Sequence, residues 1–210
     1  MLINKLHYLT TNAQAAELAC RGGVRWVQLR VKNLPAAEWQ QRALAVQAVC
    51  RHHGATLIIN DNPALALAIG ADGVHLGQQD MAPAEARALL GPQFIIGGTA
   101  NTFADVAGLV AAGVDYIGLG PFRFTATKEK LSPILGLAGY AELLGQCQAA
   151  GFTTPIIGIG GVALADVPAL LATGLHGVAV SGAIGSAADP TEAAQLLVAE
   201  LAKNQPVAIL

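Results

Sequence analysis

Eight times along this chain a short, almost uninterrupted apolar run gives way to a stretch of helical character, and that alternation restricts the fold more than any other feature. The runs are LHYLT (6–10), VRWVQLR (24–30), TLIIN (56–60), DGVHL (72–76), FIIGG (94–98), VDYIGLG (114–120), TPIIGIGG (154–161) and GVAVSGAI (177–184). Apolar residues at consecutive positions suit parallel strands buried on both faces, by helices outside and by core inside. The intervening stretches carry helix punctuation. Thr11 or Asn12 can cap the first helix, and Asp189 the last. Pro35, Pro63, Pro83 and Pro190 sit near helix starts, where a missing N–H is harmless. Gly54, Gly70, Gly91, Gly113, Gly151 and Gly174 follow the helical stretches, as C-terminal caps do. The pattern predicts an α/β fold, a single-domain (β/α)8 TIM barrel over residues 1–210. A doubly wound sheet is the alternative, and it leaves one or two of these units without a place.

Composition narrows the function. With 53% hydrophobic residues in 210, the chain can bury one substantial core. Lys and Arg total 12 against 14 Asp and Glu, so no global basic field exists for nucleic acid and any phosphate chemistry must be local. No stretch is apolar for long enough to span a membrane, and MLINKLHYLT is too short and too polar for a secretory signal. Cys20, Cys50 and Cys147 are far apart, without metal-site spacing, and read as core residues in a reducing, cytoplasmic protein. The expected partners are therefore small molecules, neither nucleic acid nor membrane, with a homo-oligomer left open.

In a barrel the segments after the strands open at one end, where ligands bind. The polar clusters of this chain all fall there. Gln28, Arg30 and Lys32 share one side if strand two continues, and they offer a guanidinium fork and a mobile ammonium to phosphate. Asn60, Asp61 and Asp80 leave neighbouring strands. The two carboxylates suit Mg²⁺, which uses few protein carboxylates together with substrate phosphates; helix capping is the alternative for each one. Thr99 can donate to a substrate oxygen, while Asn101 and Thr102 divide between that role and capping. The segment 121–136, PFRFTATKEKLSPILG, reads as a functional loop in which Thr125, Thr127 and Lys128 suit anionic oxygens. Gly160, Gly161, Val180 and Ser181 follow strands seven and eight, a common phosphate seat in barrels. Close strand-to-helix packing is the plain alternative for the glycines. His75 reads as a satisfied structural histidine and Trp26 as packing.

The strings VQLRVK, LIIND, GVHLGQQD, GGTANT, YIGLGPFRFTATKEK, PIIGIGG and VAVSGAI, in this order, resemble the thiamine phosphate synthase family over most of the chain. The resemblance implies a transferase joining hydroxymethylpyrimidine pyrophosphate to a thiazole phosphate, with thiamine phosphate and pyrophosphate as products. It implies that Gln28 recognises the pyrimidine and that Arg30, Lys32, Asn60, Thr99 and Lys128 surround the pyrophosphate. Asp61 and Asp80 would hold Mg²⁺, and Thr125, Thr127, Gly161 and Ser181 the thiazole phosphate. Arg30, Lys32 and Lys128 are the expected catalytic groups. Three positions depart from the common pattern: Thr99 for serine, Asn101 for histidine, and Phe124 for proline. A thiazole tautomerase of the related barrel group and a non-catalytic phosphate-binding protein are the competing readings.

Overall fold

A computed structural model describes residues 2–124 and 133–203. Eight parallel strands close into a barrel in sequence order, β1 (Leu6–Thr10), β2 (Trp26–Leu29), β3 (Thr56–Asn60), β4 (Gly73–Leu76), β5 (Ile95–Ala100), β6 (Tyr116–Leu119), β7 (Ile156–Ile159) and β8 (Gly177–Val180). β8 returns to pair with β1, at Leu6 with Val178. Helices α1 (Ala13–Arg21), α2 (Ala36–His53), α3 (Pro63–Ile69), α4 (Pro83–Leu90), α5 (Phe103–Ala111), α6 (Gly136–Ala149) and α7 (Val167–Ala172) follow the first seven strands in turn. β8 is followed by two helices, the short α8 (Gly182–Gly185) and α9 (Pro190–Lys203).

Local chemistry sets these boundaries. The Asn12 side chain accepts from the Ala15 N–H and starts α1, an arrangement worth about 1 kcal/mol. Asp189 Oδ1 accepts from Thr191 and Glu192 at the head of α9. Gly54 and Gly70 end α2 and α3 in the left-handed region, and Gly113, Gly151 and Gly174 take positive φ one residue beyond the caps of α5, α6 and α7.

The core has two parts because strand residues alternate between faces. Val27, Leu29, Leu57, Ile59, Val74, Ile117 and Val178 point out to pack under the helices. Leu9, Trp26, Ile58, Ile95, Tyr116, Ile157 and Ala179 fill the barrel axis. This axis is unusually aromatic. His7 stacks on Trp26 with centroids 4.3 Å apart, and Tyr116 meets both rings edge-on. Glycines make room for the rings. A Cβ at Gly97 would overlap the Tyr116 ring, and one at Gly118 would lie 3.1 Å from His75 Cε1. All three cysteines are buried and unpaired, and burial pushes the thiols of Cys20 and Cys50 up to about 11 and about 12, which keeps them protonated and inert. Among the described residues no helix is long and apolar enough to cross a membrane.

His7 yields a stability prediction. Its Nε2 lies 2.9 Å from the Asn4 carbonyl and so carries the proton. Burial foremost, then the positive potential of His75, holds its pKa well below the ordinary value of 6.5. The unfolded chain therefore binds a proton that the folded one refuses, so this group destabilises the fold as pH falls below about 6.5. His7→Phe, which keeps a stacked ring, is expected to lose less melting temperature between pH 7 and pH 5 than the parent. An equal or larger acid loss in the variant refutes this assignment.

Candidate active site

The C-terminal ends of the strands surround one cavity of about 1000 Å³. Gln28, Arg30 and Lys32 enter from β2, Asn60 and Asp61 from β3, His75 and Asp80 from β4, and Thr99 from β5. Gly160, Gly161, Val180 and Ser181 close the opposite wall. Thus every proposed site residue in the described part of the chain lines the same space. Val180 differs from the others in belonging to the core under the helices. Thr125, Thr127 and Lys128 lie outside the described residues, as do Lys130 and the C-terminal PVAIL segment.

The two aspartates do not cap helices. Asn62 caps α3 by accepting from the Leu65 N–H, and the α4 cap position is Ala82, with no side-chain bond. Asp61 instead has φ +62°, a left-handed conformation that Asp tolerates better than most residues. Its N–H still reaches the His75 carbonyl across the β3–β4 pair at 2.9 Å. This kink carries its carboxyl to that of Asp80, whose Oδ2 accepts from the Gly77 N–H at 2.7 Å. Burial, then the hydrogen bond and charge of Asp80, push the Asp61 carboxyl up to about 7, against the pull of Arg30 and Lys32. The Asp61 carboxyl therefore lies beside a second carboxylate, with Arg30 and Lys32 as the nearby positive charges. Such a pair of hard oxygen donors has the chemistry that a divalent cation would need. No group of three or more His, Cys, Asp or Glu gathers around a common point among the described residues. Mg²⁺ that retains waters and takes substrate oxygens does not need one.

A polar chain runs along the cavity floor. Gln28 hydrogen-bonds Tyr116, whose hydroxyl lies 3.0 Å from His75 Nδ1, and His75 Nε2 lies 2.9 Å from Thr99 Oγ1. Burial pushes the Tyr116 phenol far up, so it stays protonated. His75 is structurally satisfied, in keeping with its apolar run, yet it also forms part of the wall. Of the two residues left between capping and binding, Thr102 caps α5 in a reciprocal box with Asp105. Asn101 does not cap; its side chain bonds two carbonyls. Gln78 and Gln79 also line the cavity. Their place in the turn before Asp80 was the sequence signal for them.

The glycine wall is held by a strut from the β6 exit. Phe122 and Arg123 donate their N–H groups to Ile159 and Gly160, at 2.8 and 2.9 Å, extending β6–β7 pairing past the strands. The Arg123 guanidinium forks onto Asp166 at 2.5 and 2.8 Å and stacks over Phe122 at 4.6 Å. Arg123 is therefore a brace, committed away from the cavity.

Comparison with known proteins places the chain in a family. The family profile described as thiamine monophosphate synthase matches residues 2–184. The chain belongs to this family. It is 52% identical to the thiamine-phosphate synthase of Phocaeicola vulgatus over 176 residues, 84% of this chain and 85% of that protein. It is 50% identical to that of Bacteroides fragilis, across 85% of this chain and 88% of the relative. The solved thiamine phosphate pyrophosphorylase of Pyrococcus furiosus superposes with a TM-score of 0.84 at 26% identity, covering 95% and 96% of the two chains. A 3-hexulose-6-phosphate synthase, at 22% identity and a TM-score of 0.67, shares the fold. The family resemblance seen in the sequence and the eight-stranded barrel are both as expected.

Proposed function

We propose that this thiamine-phosphate synthase family member joins 4-amino-2-methyl-5-hydroxymethylpyrimidine pyrophosphate to hydroxyethylthiazole phosphate, releasing pyrophosphate. The observation that carries the reading is the common cavity, with Gln28, Arg30, Lys32, Asn60, Asp61, Asp80 and Thr99 on one side and Gly160, Gly161 and Ser181 on the other. One wall suits a diphosphate and the other a monophosphate. The C–O bond between the pyrimidine methylene and pyrophosphate breaks, and the thiazole nitrogen supplies the electron pair for the new C–N bond. The aminopyrimidine disperses the positive charge that develops on the methylene, so departure leads attack.

In this proposal Gln28 orients the pyrimidine. Arg30 grips the leaving diphosphate with its planar fork and Lys32 adds a point charge. Asn60 and Thr99 offer neutral donors, and Asp61 with Asp80 would hold Mg²⁺. Bound there, Mg²⁺ would neutralise charge on the departing oxygens. Lys128, with Thr125 and Thr127, is assigned from the family pattern alone. No protein nucleophile or dedicated base is needed; alignment and preorganised charge supply the rate. A cytoplasmic setting belongs to the same proposal, supported by three unpaired cysteines.

The test incubates purified protein with both substrates, with and without Mg²⁺. Time-dependent, Mg²⁺-dependent formation of thiamine phosphate and pyrophosphate is expected. Binding without product would overturn the reading in favour of a phosphate-binding protein. Solvent-proton exchange into a thiazole phosphate without the pyrimidine substrate would favour a tautomerase.

A further inference from the structure

Asn101 stands one residue beyond β5, only 6% exposed, and is not part of the cavity lining. Its backbone is fixed because its N–H donates to Asp105 Oδ2 at 2.9 Å, beside the α5 cap. Its Nδ2 donates to the carbonyls of Gly120 and Pro133, each at 2.9 Å. These acceptors flank residues 121–132: Gly120 is where the chain leaves β6, and Pro133 is where it returns toward α6. One planar amide with two N–H bonds suits two carbonyls; a carboxylate of the same shape would repel both.

We infer that Asn101 is a positioning residue, fixing the β6 exit at Gly120 and the approach to α6 at Pro133 relative to each other. Its influence reaches the site through contacts already in place. The two ends of the connection are tied together by Leu135 N–H to the Pro121 carbonyl at 2.9 Å and Gly136 N–H to the Phe122 carbonyl at 3.1 Å. Gly120 and Pro121 line the cavity. Pro121 occupies the space beside Gly160, where an added Cβ would lie 2.7 Å from Pro121 Cβ. Releasing Asn101 thus shifts Pro121 against the glycine pair at 160–161. The predicted kinetic consequence rests on the proposed function, in which that pair receives the thiazole phosphate.

The test uses the full chain with Asn101→Asp, which keeps the shape and removes the donors, and Asn101→Ala, which removes the side chain without adding charge. Hydrogen exchange at the Leu135 and Gly136 amides is expected to quicken at least tenfold in both, with β2 and β3 amides changing less than twofold. Steady-state turnover is expected to show the KM for thiazole phosphate rising at least fivefold. In the same assays kcat falls less than that, and the KM for the pyrimidine pyrophosphate stays within twofold. Unchanged exchange at Leu135 and Gly136, or an equal quickening throughout the barrel, overturns the inference. So does a parallel change in both KM values. The exchange measurement needs no turnover. A parent protein that makes no thiamine phosphate therefore refutes the proposed function, while the clamp is still judged on exchange.

Discussion

Asp61→Asn is expected to give a protein that, without metal or substrate, melts at a higher temperature than its parent above pH 7, yet turns over on the order of 100-fold more slowly with Mg²⁺. Both effects come from one carboxylate pair. In the parent, burial and Asp80 hold the Asp61 carboxyl up to about 7, far above the usual carboxylate range. Above that pH two negative charges stand side by side, and their repulsion lowers the stability of the fold. Asparagine removes one charge, keeps the shape and accepts the left-handed backbone at φ +62°. The sign in pH follows. Between about 4 and about 7 the folded protein holds a proton that the unfolded chain has released. The parent's stability from this group therefore falls as pH rises through that window. His7 acts in the opposite direction over part of the same range. Melting curves of Asp61→Asn should accordingly show the His7 acid loss more steeply than the parent does. If Mg²⁺ raises the melting temperature of the parent and not of Asp61→Asn, the pair holds the ion. An unchanged turnover in the variant removes it from the chemistry.

Gly160→Ala is expected to be far more damaging than the same change at its neighbour Gly161. Gly160 has φ +97°, where an L side chain is strained. The new Cβ would also lie 2.7 Å from Pro121 Cβ and 2.8 Å from Pro121 Cα. That segment cannot retreat, because Phe122 and Arg123 are bonded to Ile159 and Gly160. Strain and overpacking together cost roughly 3–5 kcal/mol, a fall of about 10 °C in melting temperature for a chain of this size. Gly161→Ala provides the comparison. It has φ +68°, and its Cβ would meet Phe124 O at 3.1 Å and Arg123 Cβ at 3.3 Å, contacts that small shifts relieve. Circular dichroism melts of the two variants check the order. A Gly160→Ala protein as stable as Gly161→Ala shows that the wall is softer than its hydrogen bonds imply.

The barrel was legible in the sequence because strand and helix periodicity are local. LHYLT and TLIIN coincide with β1 and β3 to the residue, and TPIIGIGG narrows only to Ile156–Ile159 in β7. Strand order then follows from parallel closure. The cavity wall was legible for the same reason, since a residue at a strand exit is placed by the strand. What the sequence left open depends on contacts between distant segments. Capping is open to Asp61 in the sequence, and only the structure shows Asn62 taking that cap. Asn101 could not be told from a helix cap because its acceptors, Gly120 and Pro133, lie on another connection. The Arg123–Asp166 ion pair is of the same kind, since it joins segments that follow two different strands.

The rings along the barrel axis carry a consequence for how this sequence can change over time. Tyr116 occupies the volume that a side chain at residue 97 would need, and His75 crowds the corresponding space at 118. Gly97 cannot be replaced first, and trimming the Tyr116 ring alone leaves a hole where a descendant must find new filling. Ring and glycine are therefore inherited as a unit. Among descendants of this chain, a larger residue at 97 should occur only alongside a smaller one at 116.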